Sequence, residues 1–153
     1  MAPVRPQSSA IEWHSIAEAA RVSGLSVDML NYLARHELVT ASGTESPGRG
    51  RRRRYLFADL ILLRAVAQML DRGISVLRLK KSLASMRQRG ASFDLLLSSR
   101  YLVTDGYNLF FQDAGVIEAL ETGQLSFAFV LELSTIRASV ANDLAEIRKA
   151  LQA

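Results

Sequence analysis

The stretch Trp13 to Tyr55, WHSIAEAARVSGLSVDMLNYLARHELVTASGTESPGRGRRRRY, decides how the rest of the chain is read. Ile16, Ala17, Ala20 and Val22 recur at helical spacing and predict a first helix from Trp13 to Ser23. Gly24 permits a sharp turn. Ser26 has the hydroxyl of an N-cap for a second helix to Arg35, with an apolar stripe of Met29, Leu30 and Leu33. This is a helix-turn-helix pattern, followed by a Ser, Gly, Thr and Pro-rich loop from Ala41 to Gly50. The arginines 49, 51, 52, 53 and 54 come next, and Tyr55-Leu-Phe57 reads as a short strand returning to the core. A basic loop held in this way beside two helices is a wing.

The chemistry of the second helix points to DNA. Asp28, Asn31, Tyr32 and Arg35 lie off its apolar stripe. Asn pairs bidentately with adenine, Arg with guanine, and Tyr or Ser reaches phosphate oxygens, so Ser26, Asn31, Tyr32 and Arg35 are candidate contacts. Asp28 either meets a cytosine amino group or favours the positive helix N-terminus. Arg49, Arg51, Arg52, Arg53 and Arg54 are candidate phosphate or minor-groove contacts. Trp13 is expected to be a buried packing residue, and Tyr55 and Phe57 are expected to anchor the wing.

Beyond the wing, Asp59 is expected to cap a third helix, Leu60 to Leu70, almost continuously apolar and stopped by Gly73. Ser75 caps a fourth, with Leu79, Leu83 and Met86 inward and Gly90 as its stop. Arg78, Lys80 and Lys81 lie off that stripe, either on the DNA backbone or on a solvated face. Arg100 to Thr104, then Asp105-Gly106, then Tyr107 to Phe111 predict a β-hairpin with Asp105-Gly106 as its turn. Leu125, Phe127, Phe129 and Leu131 alternate with small or polar neighbours as a third strand does. The last stripe is Ile136, Val140, Leu144, Ile147 and Leu151. It is expected to make a dimer or partner contact as a short coiled coil, with packing on its own hairpin as the alternative.

Composition bounds the function. The 153 residues carry 19 Lys or Arg and 15 Asp or Glu, for a net charge of +4. Residues 1–90 hold 15 basic and 7 acidic groups, a balance of +8, whereas residues 91–153 hold 4 and 8, a balance of −4. A basic front half joined to an acidic rear half fits a polyanion-binding head with a tail of another purpose. The absence of cysteine excludes disulfides, thiolate metal sites and cysteine nucleophiles. His14 and His36 stand in no spaced carboxylate or serine motif and no Gly-rich phosphate loop precedes a helix, so neither an enzyme nor a cofactor is expected. With no apolar run near membrane-spanning length and no hydrophobic signal core, the protein is expected to be cytoplasmic, without membrane contact.

These residues resemble a known family. Ser15-Ile-Ala-Glu-Ala-Ala-Arg-Val-Ser-Gly-Leu-Ser26, Leu30-x-Tyr32, Leu38, Arg53-Arg-Tyr-Leu-Phe-Ala-Asp-Leu60 and Leu70-Asp-Arg-Gly-Ile-Ser75 are similar to the winged helix-turn-helix head of the MerR family, over about residues 13–88. The resemblance implies a dimeric regulator of transcription on a pseudo-palindromic operator in double-stranded DNA. Asn31 and Leu33 depart from the family's usual Leu-Arg-Tyr-Tyr. The arginine run is positioned to compensate for that missing arginine, and no cysteine-based metal sensing is implied. The rear half also resembles that of some MerR-like antitoxins, which leaves open an autoregulator whose tail binds a toxin or other protein. A DNA-bending recombination accessory protein is a further alternative. The expected architecture is mainly α, of α+β character: a flexible lead (1–10), the winged helix-turn-helix head (11–90), and a tail of β-hairpin and C-terminal helix (91–153).

Overall fold

The structure, a computed structural model, describes residues 12–44, 52–88, 93–105, 108–112 and 129–152. Helix α1 (Ile16–Ser23) starts where Ser15 Oγ accepts the Glu18 N–H at 3.2 Å. It ends at Gly24, whose φ of 81° lets the chain reverse. Helix α2 (Val27–Arg35) begins at Ser26, where the hydroxyl accepts the Met29 N–H at 3.0 Å as its serine cap predicts. Leu30 and Leu33 bury the inner face of α2, and Glu37 closes its C-terminus in the left-handed region at φ 53°.

Helix α3 (Phe57–Asp71) begins earlier than Asp59 implies. Leu56 is its N-cap, and Asp59, two residues into the helix, folds its carboxylate back to accept the Leu56 N–H at 2.8 Å. The acid therefore satisfies an orphan donor of the first turn from inside the helix. Leu60, Ile61, Leu63, Ala65 and Val66 are all fully buried, so α3 is covered on more than one side. Helix α1 covers one face, while α5 (Phe93–Ser98) and α6 (Leu133–Gln152) cover others. Helix α4 (Val76–Gln88) starts at Ser75, whose Oγ accepts the Arg78 N–H, and packs Leu79, Leu83 and Met86 inward.

The tail sheet has the order β2-β1-β3, all antiparallel, from β1 (Tyr101–Thr104), β2 (Leu109–Gln112) and β3 (Phe129–Glu132). The expected hairpin forms, with a different turn. Thr104 pairs with Leu109, so the connection is the four residues 105–108 rather than Asp105-Gly106 alone, and Asp105 Oδ1 accepts the Asn108 N–H at 2.8 Å. Of the expected third strand, residues 125–128 lie outside the described residues.

The terminal stripe also differs from the expected subunit contact. Ile136, Val140 and Ile147 are buried and Leu144 packs against the same core, all within this chain; only Leu151, 81% exposed, points away. The physical reason is α3, an apolar helix that α1 alone cannot cover. One continuous core thus runs from α1 and α2 through α3 into the tail. Among the described residues, no helix is long and apolar enough to cross a membrane.

Candidate nucleic-acid interface

Two elements bring the predicted contact residues together: the outer face of α2 and the base of the expected wing. On α2, Ser26, Asp28 and Arg35 are exposed, and Tyr32 stacks at a tilt on His36, ring centres 4.3 Å apart. Ser26 supplies the cap, so Asp28 is free of that task and places its charge in the first turn, where the helix dipole favours it.

Where residues 41–44 meet 52–55, at the base of the expected wing, the chain is held by a set of backbone clamps. Gly43 N–H donates to the Arg54 carbonyl at 2.8 Å, Arg54 N–H donates to Thr44 Oγ1 at 2.9 Å, and Thr44 N–H donates to the Ala41 carbonyl at 3.1 Å. A Cβ on Gly43 would sit 2.8 Å from that Arg54 oxygen, so only glycine lets the two segments approach so closely. Tyr55 then pairs with His14 through two backbone hydrogen bonds of 2.7 and 2.9 Å, which stitches the returning segment to the entry of α1. Tyr55 itself is buried in the core.

Asp59 is the hidden pin of this arrangement. Its carboxylate, 1% exposed, accepts from Ser42 Oγ at 2.6 Å, from Ser42 N–H at 2.9 Å and from Leu56 N–H at 2.8 Å. Burial pushes its pKa above the usual carboxylate value, and the bonds from the Ser42 hydroxyl and the two backbone amides oppose that rise. Burial likewise raises the Tyr55 phenol, with the nearby Arg53 charge pulling the other way. Neither Ser42, Thr44 nor Gly43 stands out in the sequence beyond loop composition. Their signal is the Ser-Gly-Thr run itself, whose hydroxyls and missing Cβ suit tight local hydrogen bonding.

Of the wing arginines, Arg49 and Arg51 lie outside the described residues. Arg52 and Arg54 are exposed, and the Arg54 guanidinium lies 5.2 Å from the centre of the Trp13 ring. Trp13 is 44% exposed rather than buried, because the core position at the start of α1 is taken by His14 and the indole covers the arginine instead. Arg53 turns inward to α2 and donates to Asn31 Oδ1 at 2.6 Å. The α4 residues Arg78 and Lys81 are exposed and Lys80 partly so. Among the described residues, no group of three or more His, Cys, Asp or Glu is placed to hold a metal ion.

Residues 14–86 match the family model described as MerR HTH family regulatory protein. The chain is also 30% identical over 115 residues to an uncharacterized HTH-type transcriptional regulator of Mycobacterium bovis and to two of the same description from Mycobacterium tuberculosis. Each match covers 74% of this chain and 50% of the relative, so the chain spans about half the length of the curated relatives it matches. The capped α1–Gly24–α2 unit, the clamped arginine segment and the Asp59 helix are all within the matched residues: residues 14–86 are a helix-turn-helix domain of the MerR family.

Proposed function

We propose that this chain is a non-enzymatic, cytoplasmic regulator of transcription that binds double-stranded DNA sequence-specifically, as a homodimer on a pseudo-palindromic operator. The observation that carries this reading is the placement of the polar outer face of α2 beside an arginine-bearing segment, both fixed to one core within a MerR-family domain. In this arrangement α2 enters the major groove, with Arg35 facing base edges and Ser26 and Tyr32 against phosphates. Arg49, Arg51, Arg52 and Arg54 hold the flanking backbone. A lone short recognition helix buries too little surface to read a long site, so two copies share a two-fold operator. The inner stripe of α6 is occupied within the chain, and the exposed Leu95 and Leu97 supply apolar surface for pairing.

The test is selection of bound duplexes from random DNA, then binding of the winner across a salt series, with mass measurement of the complex. The expected result is an enriched inverted repeat bound by two chains. Each lost phosphate contact lowers the salt slope by about 0.9, so neutralising Arg51, Arg52, Arg53 and Arg54 together flattens it by up to about 3.6. An unchanged slope in that variant removes the arginine segment from the interface, and no enriched sequence removes the sequence-specific reading.

A further inference from the structure

The bond between α2 and the wing base assigns Asn31 a task other than reading a base. Its Oδ1 accepts the Arg53 Nη1–H at 2.6 Å, a charge-assisted bond spanning 22 residues of sequence, and both side chains are partly buried. To read adenine an asparagine presents Oδ1 to the N6 amine and Nδ2 to N7 in one plane. Here Oδ1 already faces a cation. A guanidinium has five donors in a fixed fork, so Arg53 can give one to Asn31 and keep others for acceptors on DNA. Arg54 lies over Trp13 instead, and Arg53 bonds directly to α2.

We propose that Asn31 is a positioning residue that holds Arg53 at the edge of α2, and that Arg53 delivers the DNA contact for the pair. This rests on the DNA-binding reading above. The ligand chemistry is an acceptor oxygen or nitrogen on nucleic acid, either a phosphate or the O6/N7 edge of guanine. Asn31 also confines a long, rotamer-rich side chain before binding, so the ordering cost is met in the free protein.

The experiment measures the affinity of full-length wild type, Asn31→Ala, Asn31→Asp, Arg53→Ala and the Asn31→Ala/Arg53→Ala double variant for the selected site and all its single-base variants, with thermal unfolding of each protein recorded alongside. Each alanine variant is expected to lose about tenfold in affinity, the loss of one charged hydrogen bond, and the double variant is expected to lose no more than Arg53→Ala alone. Asn31→Asp keeps the acceptor and lacks the amine that adenine N7 needs. Its expected profile keeps the wild-type base preferences at every position, with a uniformly lower affinity from the added negative charge. A preference at one G·C pair lost in Arg53→Ala identifies guanine as the acceptor; a uniform loss with a lower salt slope identifies phosphate. The proposal is overturned if Asn31→Ala and Asn31→Asp both erase preference at one A·T pair that Arg53→Ala retains, or if the two alanine losses multiply. Wild-type protein that binds no duplex overturns the functional reading and the positioning role together. Wild type that binds while the double variant shows multiplied losses overturns the positioning role alone.

Discussion

Replacing Asp59 by asparagine and by alanine separates the hydrogen-bond geometry of this buried acid from its charge. The carboxylate satisfies three donors, two of them backbone N–H groups of Ser42 and Leu56. Alanine leaves all three without an acceptor and opens a small void. At about 1 kcal/mol or more for each donor left unsatisfied, partly offset by release of a desolvated charge, the net cost is about 3 kcal/mol. Asparagine behaves otherwise. With its Oδ1 where Oδ2 of Asp59 sits, it accepts both backbone N–H groups at once, and its Nδ2 donates to Ser42 Oγ, whose lone pairs can accept. All three contacts survive while the buried charge is gone, so Asp59→Asn changes stability by less than about 1 kcal/mol.

The pH dependence follows from the direction of the shift. Because burial raises the Asp59 pKa, the folded chain holds that proton more tightly than the unfolded chain does. The stabilisation linked to it is complete below the unfolded carboxyl range, near pH 3.9, and is lost as pH rises through the folded value. Urea unfolding of wild type and Asp59→Asn from about pH 7 to about pH 4 isolates it, since every other titrating group is common to both proteins. The difference in unfolding free energy is expected to move in favour of wild type as the pH falls. If Asp59→Asn is as damaging as Asp59→Ala at neutral pH, or the difference moves the other way, the ionised charge holds Ser42 and Leu56 in place and the reasoning from hydrogen-bond geometry is wrong.

Other perturbations test separate links. Glu37→Gly relieves the left-handed backbone after α2, where φ is 53°, and raises stability by about 0.5 to 1 kcal/mol in thermal or urea unfolding; a loss would mean the glutamate side chain outweighs the strain. Gly43→Ala forces a Cβ to within 2.8 Å of the Arg54 carbonyl, so it is expected to cost about 1 to 3 kcal/mol and to weaken DNA binding beyond the loss of folded protein, read by gel shift at matched folded concentration. Val140→Ala removes fully buried methyls and costs about 1 to 2 kcal/mol, whereas Leu151→Ser stays within about 0.5; the opposite order would place the stripe against a second chain.

What the sequence makes legible is whatever local chemistry decides. Ser26, Gly24 and Ser75 mark helix ends because a hydroxyl or an absent side chain acts within three residues, and each stands where its chemistry places it. Asp59 misleads because an acid before an apolar run serves equally as N-cap or, from inside the first turn, as acceptor for the preceding N–H. The Asp105-Gly106 pair misleads similarly: turn composition is visible, but register fixes loop length, and register depends on which residues of β1 and β2 face the core. The stripe of α6 cannot declare whether it covers a neighbour or its own chain. That answer lies in α3, whose apolar residues recur on every side but the Arg64, Gln68 and Asp71 face and need more cover than the first helix pair can give. Asn31 and Arg53 were each legible as polar residues suited to DNA. Their bond joins two elements whose relative placement only the tertiary fold supplies.

The same shared helix α3 joins α1 to α6 through one side chain. Arg64, on α3, donates to the Val22 carbonyl at 2.7 Å, one of the orphan acceptors at the end of α1. The same guanidinium reaches Ser139 Oγ at 3.3 Å and Asp143 Oδ2 at 3.4 Å, both on α6. Arg137, in turn, ties α6 to the end of α5 through the Ser99 carbonyl at 2.7 Å and the Leu96 carbonyl at 3.1 Å. A displacement of α6 along α3 therefore either breaks the Arg64 contacts or pulls on Val22, two residues before the Gly24 turn that joins α1 to α2. Ion pairs this exposed contribute little to stability, so their consequence is geometric: the end of α1 and the middle of α6 are held against the same side chain of α3.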